Sequence, residues 1–372
     1  MKVVVVKEES PHEKRVALTP EGVKKLKTMG FDIWVSKGAG DKACLDDKSY
    51  TDAGAHVEGD LKKLYKDAKL VLRMGVPSAD DISHIPAKAI LLGILKPHEN
   101  KEELKKLADQ KITSFGLELI PRITRAQSMD VLSSQTNLAG YRAVIEGANL
   151  LGRVFPMMMT PAGTVAPSRV IILGVGVSGL QAIATAKRLG AIVSAFDVRS
   201  AAKEQVQSLG ATFVEVPLEE SGDGAGGYAK EMSEAAQKAQ KAKLTEVLKT
   251  QDLVITTAQI PMKKAPILID DAMVAGMKAG SVIVDLAAET GGNCTLSKLG
   301  KTITQKGVTV YAPHTIVSNI AQDASNLFSR NVVAFLQNLM KDNQIQFEDE
   351  IVKASCLTHD GSIVHPLFKG EA

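Results

Sequence analysis

Val170-Ile171-Ile172-Leu173-Gly174-Val175-Gly176-Val177-Ser178-Gly179-Leu180 is the stretch whose reading decides the fold. Its apolar start predicts a buried strand, and the strand breaks into G-x-G-x-x-G. A helix is expected next, with Leu180, Ile183, Ala186 and Leu189 at a spacing of three. Gly190 closes it, with Lys187 and Arg188 in the last turn. A second apolar run, Ala191 to Phe196, then ends in Asp197. Gly174 permits the tight turn, Gly176 lets the backbone approach a pyrophosphate, and Gly179 allows close helix–strand packing. The helix N-terminus, Val177 onward, offers free N–H groups and a positive dipole end to phosphates. Asp197 stands 18 residues after Gly179, where a carboxylate accepts hydrogen bonds from the adenosine ribose. It also repels a 2′-phosphate, so the site is expected to take NAD(H) over NADP(H). Arg199 alone would favour the phosphorylated form, but Asp197 holds the strand-end position.

The chain is 372 residues long, which predicts two domains. Before residue 130, apolar runs at Val3–Val6, Asp32–Val35, Leu70–Leu72, Ile90–Leu95 and Ile112–Phe115 alternate with amphipathic stretches. That alternation predicts a parallel sheet covered by helices, without a glycine-rich phosphate loop. Thr19 and Pro20 mark the start of its first helix. Val131 to about Arg153 reads as a joining helix, with Leu138, Tyr141, Val144, Ile145 and Leu151 near one face. The second half adds strands at Leu253–Thr257, Val282–Leu286 and Val308–Tyr311. A long helix comes next, with Leu327, Phe328, Val332, Phe335, Leu336 and Leu339 as a core stripe. The tail from Gln344 lacks periodicity and is expected to be peripheral. The fold class is therefore α/β: two Rossmann-like, doubly wound parallel-sheet domains joined by long helices, with the NAD cleft between them.

Composition excludes several classes. A formal charge of +3 and an aromatic share of 4% do not suit a nucleic-acid binder. Cys44, Cys294 and Cys356 are scattered, with no spacing suited to zinc and no metal site expected. Met1–Lys7 holds only four consecutive apolar residues before Lys7-Glu8-Glu9, so it reads as a first strand and not a signal peptide. Nothing approaches the ~18 apolar residues of a membrane span.

Polar groups concentrate in three places. Arg122 to Asn137 lies just before the joining helix, at a domain junction where ligand clefts form. It supplies donors and acceptors for a carboxamide and a ribose. An equally open alternative is a helix start, with Asp130 or Ser133 as cap and Arg122 and Arg125 in solvent. Asp285–Asn293 and Thr256–Pro261 sit at the carboxyl ends of neighbouring strands, where they are expected to line the nicotinamide side of the cleft. The glycine-dense stretch Ser221–Tyr228 before Ala229–Thr250 reads either as a mobile loop or as a solvated insertion.

With these clusters in hand, the chain resembles the NAD(H)-binding component of proton-translocating nicotinamide nucleotide transhydrogenase. The residues that carry the likeness are Lys14–Pro20, Arg122–Arg142 with its run RAQSMDVLSSQTNLAGYR, Gly174–Gly179 with Asp197-Val198-Arg199, and Gly280–Asn293. Alanine dehydrogenases share the Arg15–Pro20 start and the nucleotide loop. They carry a lysine near Leu70–Val76 and a catalytic histidine after Ile90–Leu95. Here the first region reads Arg73-Met74-Gly75, and Lys96 stands at the histidine's place, with His98 two residues on. Oxidative deamination needs a general base and a carboxylate clamp, so these departures argue against amino-acid chemistry.

The resemblance implies a discontinuous first domain of residues 1–133 plus 318–372, and a nucleotide domain of 134–317. It implies that Gln127, Arg122, Asp130 and Ser133 orient the dihydronicotinamide, with Gln127 nearest the transfer, and that Ser128 and Met129 also touch the nucleotide. Gly174, Val175, Gly176, Val177, Gly179, Asp197, Val198, Arg199, Gly227, Tyr228, Gln240, Ala258 and Gln259 are implied as further NAD(H) contacts. Gln259 stands where the family usually has an apolar residue, and Gly222–Tyr228 resembles the family's mobile loop. Also implied are a homodimer, a partner subunit holding NADP(H), a membrane-spanning proton-channel subunit, and a cytoplasmic location against the inner face of the membrane. The alternative is an alanine-dehydrogenase-like amino-acid oxidoreductase.

Overall fold

The computed structural model describes residues 1–216, 233–260, 262–341 and 344–369. The chain divides into two compact units, Met1–Gln135 with Ser318–Ala372, and Thr136–Val317.

The first unit is built on an eight-stranded sheet. Lys2–Val5 lies inside it, with Asp32–Ser36 and then His56–Glu58 on one side. Leu70–Leu72, Ile90–Gly93 and Thr113–Gly116 come in turn on the other. These six strands are all parallel. The chain thus winds outward in one direction, returns, and winds outward in the other, which is the doubly wound order of nucleotide-binding sheets. Val3, Val4 and Val5 are fully buried, as a parallel strand covered on both faces demands. Thr19 precedes the helix Pro20–Thr28 in an extended conformation, but its hydroxyl makes no cap. It turns instead to Ser329 Oγ at 3.3 Å, and Pro20 alone starts the helix.

The tail corrects the expectation of a peripheral segment. Cys356–His359 adds antiparallel to Thr113–Gly116, and Ser362–Ile363 pairs with it in turn. Ile351, Val352 and Leu357 are fully buried. Two short strands around one turn leave too little sequence for periodicity to show.

The second unit repeats the same order. Arg169–Leu173 takes the inner place, flanked by Ile192–Phe196 and Thr212–Phe213 on one side. Leu253–Thr256, Val282–Asp285 and Val308–Ala312 lie on the other. An antiparallel edge strand, Lys301–Gln305, which the sequence pattern does not reveal, closes that side. The helix after the glycine loop, Val177–Arg188, buries Gly179, Ala182, Ile183 and Ala186. Leu189 is exposed at 37%, so the buried stripe is made of smaller residues than the leucine spacing suggests.

Helix Val131–Leu150 carries the chain from the first unit into the second. Within the second unit its buried face is Gly140, Ala143, Val144 and Gly147, and Tyr141 is exposed. A Cβ on Gly140 would stand 2.1 Å from the Ser178 carbonyl, and one on Gly147 would stand 2.7 Å from Leu253 Cδ1. Two glycines seven apart share a face, so the helix backbone lies directly on the nucleotide loop and the strand beside it. Helix Ala321–Leu339 buries Phe328, Val332, Phe335, Leu336 and Leu339 in the core of the first unit. No helix among the described residues is long and apolar enough to cross a membrane.

Candidate nucleotide site

The glycine loop sits where the strand order reverses, at the carboxyl end of Arg169–Leu173 and beside Leu253–Thr256. Each glycine has a separate reason. Gly174 has φ of +96°, and a Cβ there would meet Thr257 Oγ1 and Ala258 N at 2.9 Å. The Thr257 hydroxyl donates to the Gly174 carbonyl at 2.9 Å, which ties the turn to the neighbouring strand. A Cβ on Gly179 would lie 2.0 Å from the same carbonyl. Those two positions are closed by the protein itself. Gly176 is different: a Cβ there meets nothing within 4 Å, and its backbone is extended. The fold does not require glycine at 176, but a ligand packed on the backbone does. Gly176 also begins helix Val177–Arg188 with no side-chain cap, leaving the first amides available to an anion.

Asp197 ends the next strand and is largely buried, with its side chain 6% exposed. Oδ2 accepts from Val175 N at 2.7 Å, and both oxygens accept from Arg199, at 2.8 Å from Nε and 2.7 Å from Nη2. Arg199 Nη2 donates in turn to the Val175 carbonyl at 2.9 Å. The carboxylate therefore fixes the loop and neutralises a nearby cation that would attract a 2′-phosphate. Val175 is buried, and Val198 packs half-buried on the core. Gln240 lies half-buried in helix Glu234–Leu248. Gly227 and Tyr228, with the rest of the glycine-dense stretch, lie outside the described residues.

Ala258 is held by a side chain whose role sequence alone does not show. Asn293 Oδ1 accepts from Ala258 N at 3.0 Å, and its Nδ2 donates to Ala258 O and Pro266 O at 2.8 Å each. Asp285 is fully buried, and its two oxygens take Thr256 Oγ1, Ala287 N, Asn293 N, Cys294 N and Ser297 Oγ. Its lone pairs are spent, which corrects the expectation that it lines a ligand cleft: it shapes the loops. Gln259 is exposed and donates to Leu286 O at 3.3 Å.

In the first unit, Thr124–Met129 forms a 3-10 helix that runs into helix Val131–Leu150. Ala126 and Met129 anchor it in the core, whereas Arg122, Gln127 and Ser128 are exposed. Asp130 does cap the following helix: Oδ1 accepts from Ser133 N at 2.8 Å, and Oδ2 from Ser133 Oγ at 2.5 Å. Arg125 is not left to solvent, because Asp349 at 2.8 Å and Glu350 at 3.1 Å hold it. The segment thus stands on buried anchors with its amide and guanidinium groups facing outward.

The equivalent switch point of the first sheet holds no phosphate loop. Glu8 Oε1 there accepts from Met74 N at 2.6 Å, and Arg73, 2% exposed, pairs with Asp81 and lies 3.7 Å from Glu8. Burial, opposed by Arg73, pushes the Glu8 carboxyl up to about 7. Arg15 is likewise buried, 2.6 Å from Glu13, and donates to Gln135 Oε1 at 2.8 Å.

Two sheets of one winding order, one bearing a glycine loop opened for a phosphate and a strand-end acid, define a two-domain dinucleotide-binding α/β protein. The chain belongs to the alanine dehydrogenase/PNT family, whose N-terminal domain matches residues 4–139 and whose C-terminal domain matches residues 143–366. It is 49% identical to the first of the separately encoded parts of NAD(P) transhydrogenase subunit alpha of Rhodospirillum rubrum, over the full length of both. The crystal structure of transhydrogenase from Sinorhizobium meliloti superimposes with a TM-score of 0.90 at 46% identity, covering 98% of this chain and 100% of that one. Alanine dehydrogenase of Halomonas elongata is more distant, 29% identical over 98% of this chain and 95% of its own.

Proposed function

We propose that this chain is the NAD(H)-binding subunit of a proton-translocating NAD(P) transhydrogenase. It presents NADH to NADP⁺ held by a partner subunit, and a membrane-spanning subunit couples the exchange to proton movement. In this reading the protein works as a homodimer on the cytoplasmic face of the membrane, bound through its partners.

The observation that carries this reading over amino-acid oxidation is the state of Arg15 and Arg73. Both are buried and paired with carboxylates, so neither is offered as a clamp for a substrate carboxylate. Transfer between nicotinamides needs no such clamp and no general base. When bound, the dinucleotide supplies a hydride that passes from C4 of one ring to C4 of another, giving NAD⁺ and NADPH with no proton exchanged. The protein's own contribution is positional. Helix Val177–Arg188 and Gly176 hold the pyrophosphate, and Asp197 takes the ribose hydroxyls. Arg122, Gln127, Asp130 and Ser133 orient the carboxamide and the nicotinamide ribose.

Steady-state assays test this. The purified chain is expected to bind NADH, to show no alanine-dependent NAD⁺ reduction, and to transfer hydride only when its NADP(H)-loaded partner is added. Gln127→Ala is expected to slow that transfer while leaving NADH affinity nearly unchanged, because orientation acts on the transition state more than on grip. Alanine-dependent turnover by the isolated chain would overturn the proposal.

A further inference from the structure

We propose that Asn331 is a positioning residue for the transfer step, acting through the Ser128–Ser134 segment and not on the nucleotide. The proposal rests on the assignment of Gln127, Asp130 and Ser133 to the dihydronicotinamide. Asn331 lies in helix Ala321–Leu339 on the stripe that also carries Phe328 and Phe335, and it is 7% exposed. A buried amide on an apolar face costs stability unless its polar atoms are matched. Both are: Nδ2 donates to the Ser128 carbonyl at 2.8 Å, and Oδ1 accepts from Ser134 Oγ at 2.7 Å.

Those two contacts bracket Asp130 and Ser133, and the first falls one residue after Gln127. Inside the bracket, Asp130 accepts from the backbone and hydroxyl of Ser133. Seven residues earlier on the same face of the helix, the Ala324 carbonyl accepts from Gln135 Nε2 at 3.0 Å. One helix therefore tethers the segment at both ends. The tether matters because Thr124–Met129 is a 3-10 helix, whose own hydrogen bonds are poorly aligned. The same helix ties a different segment through Ser329 Oγ, which accepts from Thr19 N at 3.1 Å. That second tie gives an internal control.

The experiment measures NADH-to-NADP⁺ hydride transfer in the complex with the partner subunits, with NADH titration and thermal melting for each variant. Asn331→Leu fills the volume and removes both bonds. It is expected to slow transfer about tenfold or more, since a misplacement near 1 Å can cost about 10²-fold, while NADH affinity stays close to wild type. The isotope effect with 4-deuterated NADH is expected to rise as transfer becomes limiting. Ser329→Ala, disturbing the same helix elsewhere, is expected to leave transfer unchanged. If Asn331→Leu does not fold, Ser134→Ala removes one bond from the loop side and must slow transfer for the proposal to stand. Wild-type transfer in these variants, with Gln127→Ala impaired, overturns the role of Asn331 alone. Wild-type transfer in Gln127→Ala as well overturns the assignment beneath it.

Discussion

Substituting the loop glycines one at a time separates what the fold needs from what the ligand needs. In Gly176→Ala the new methyl enters open space on an extended backbone, so the folded protein loses nothing. The unfolded chain loses freedom, which stabilises by about 0.4–1 kcal/mol, or roughly 3 °C at most in melting temperature. The same methyl stands where a phosphate would lie against the loop. Pushing the phosphate off the helix N-terminus removes one or two charge-assisted hydrogen bonds of about 1.5–3 kcal/mol each. NADH affinity is then expected to fall about 10²–10³-fold. Gly179→Ala behaves in the opposite way. Its methyl would begin 2.0 Å from the Gly174 carbonyl, so helix and strand must part by roughly 1 Å or more to restore an ordinary contact. That is overpacking against backbone, and it is expected to cost about 3 kcal/mol before any ligand is added. Calorimetric NADH titration and thermal melting of both variants give the answer. A Gly176→Ala protein that melts normally and binds NADH as tightly as wild type would refute the claim that a ligand sits on this backbone.

The buried carboxylates offer two further tests. Asp197→Ala removes the ribose acceptor and releases Arg199 from both carboxylate oxygens. NADH binding is expected to weaken about 10–100-fold, and discrimination against NADPH to shrink because the freed guanidinium now favours a 2′-phosphate. Competition titrations with both nucleotides measure it, and full exclusion of NADPH would show that Asp197 is not the discriminator. Glu118 is buried, its Oε1 accepting from Leu95 N at 2.9 Å and Lys96 N at 2.6 Å, with Oε2 unmatched. Burial pushes its carboxyl up to about 7, above the ordinary 4.5. A raised carboxyl pKa means that the folded state holds the proton more tightly. The contribution is thus full below about 4.5 and lost as pH rises through about 7, by up to roughly 3 kcal/mol. Glu118→Gln keeps the acceptor for both amides and is expected to flatten the fall in urea midpoint between pH 5 and pH 8. Glu8 still titrates in the same window. Identical pH profiles for the variant and the wild type would contradict this.

The two sheets are legible in the sequence because their strands are buried on both faces and so read as unbroken apolar runs, from Val3–Val6 to Val308–Tyr311. The glycine loop is legible because its constraints are local: a left-handed turn at Gly174 and a steric limit at Gly179 act within a few residues. Lys301–Gln305 and Cys356–His359 are not. An exposed edge strand and a four-residue strand carry no periodicity above their neighbours'. In the helices large apolar residues dominate the pattern, yet the small ones pack closest: Gly140 and Gly147 are buried while Tyr141 and Leu189 are exposed. Asn331, Asn293 and Asp285 are hidden for another reason. Their partners are backbone groups or residues up to 203 positions away, and residue identity alone does not announce such pairings.

The two units share a strand order yet only one carries a nucleotide loop, and the contrast lies in the residues just after the first strand of each. Arg169–Leu173 runs into Gly174-Val175-Gly176, a backbone with open space above Gly176. Lys2–Val5 runs instead towards Glu8, whose carboxylate reaches across to Met74 N beside Arg73. A crevice at the topological switch point is a property of the winding, so both sheets have one. In the first sheet a carboxylate and a guanidinium fill it, and Asp81 completes the set. Opening that site to a ligand would mean stripping a buried cation of its partners, which costs about 3–5 kcal/mol for a pair of this kind. The second sheet asks for no such exchange, because backbone amides at a helix start remain available. One winding therefore yields a closed, charge-filled unit and an open, anion-ready one, and the division of labour between them stems from three residues at each switch point.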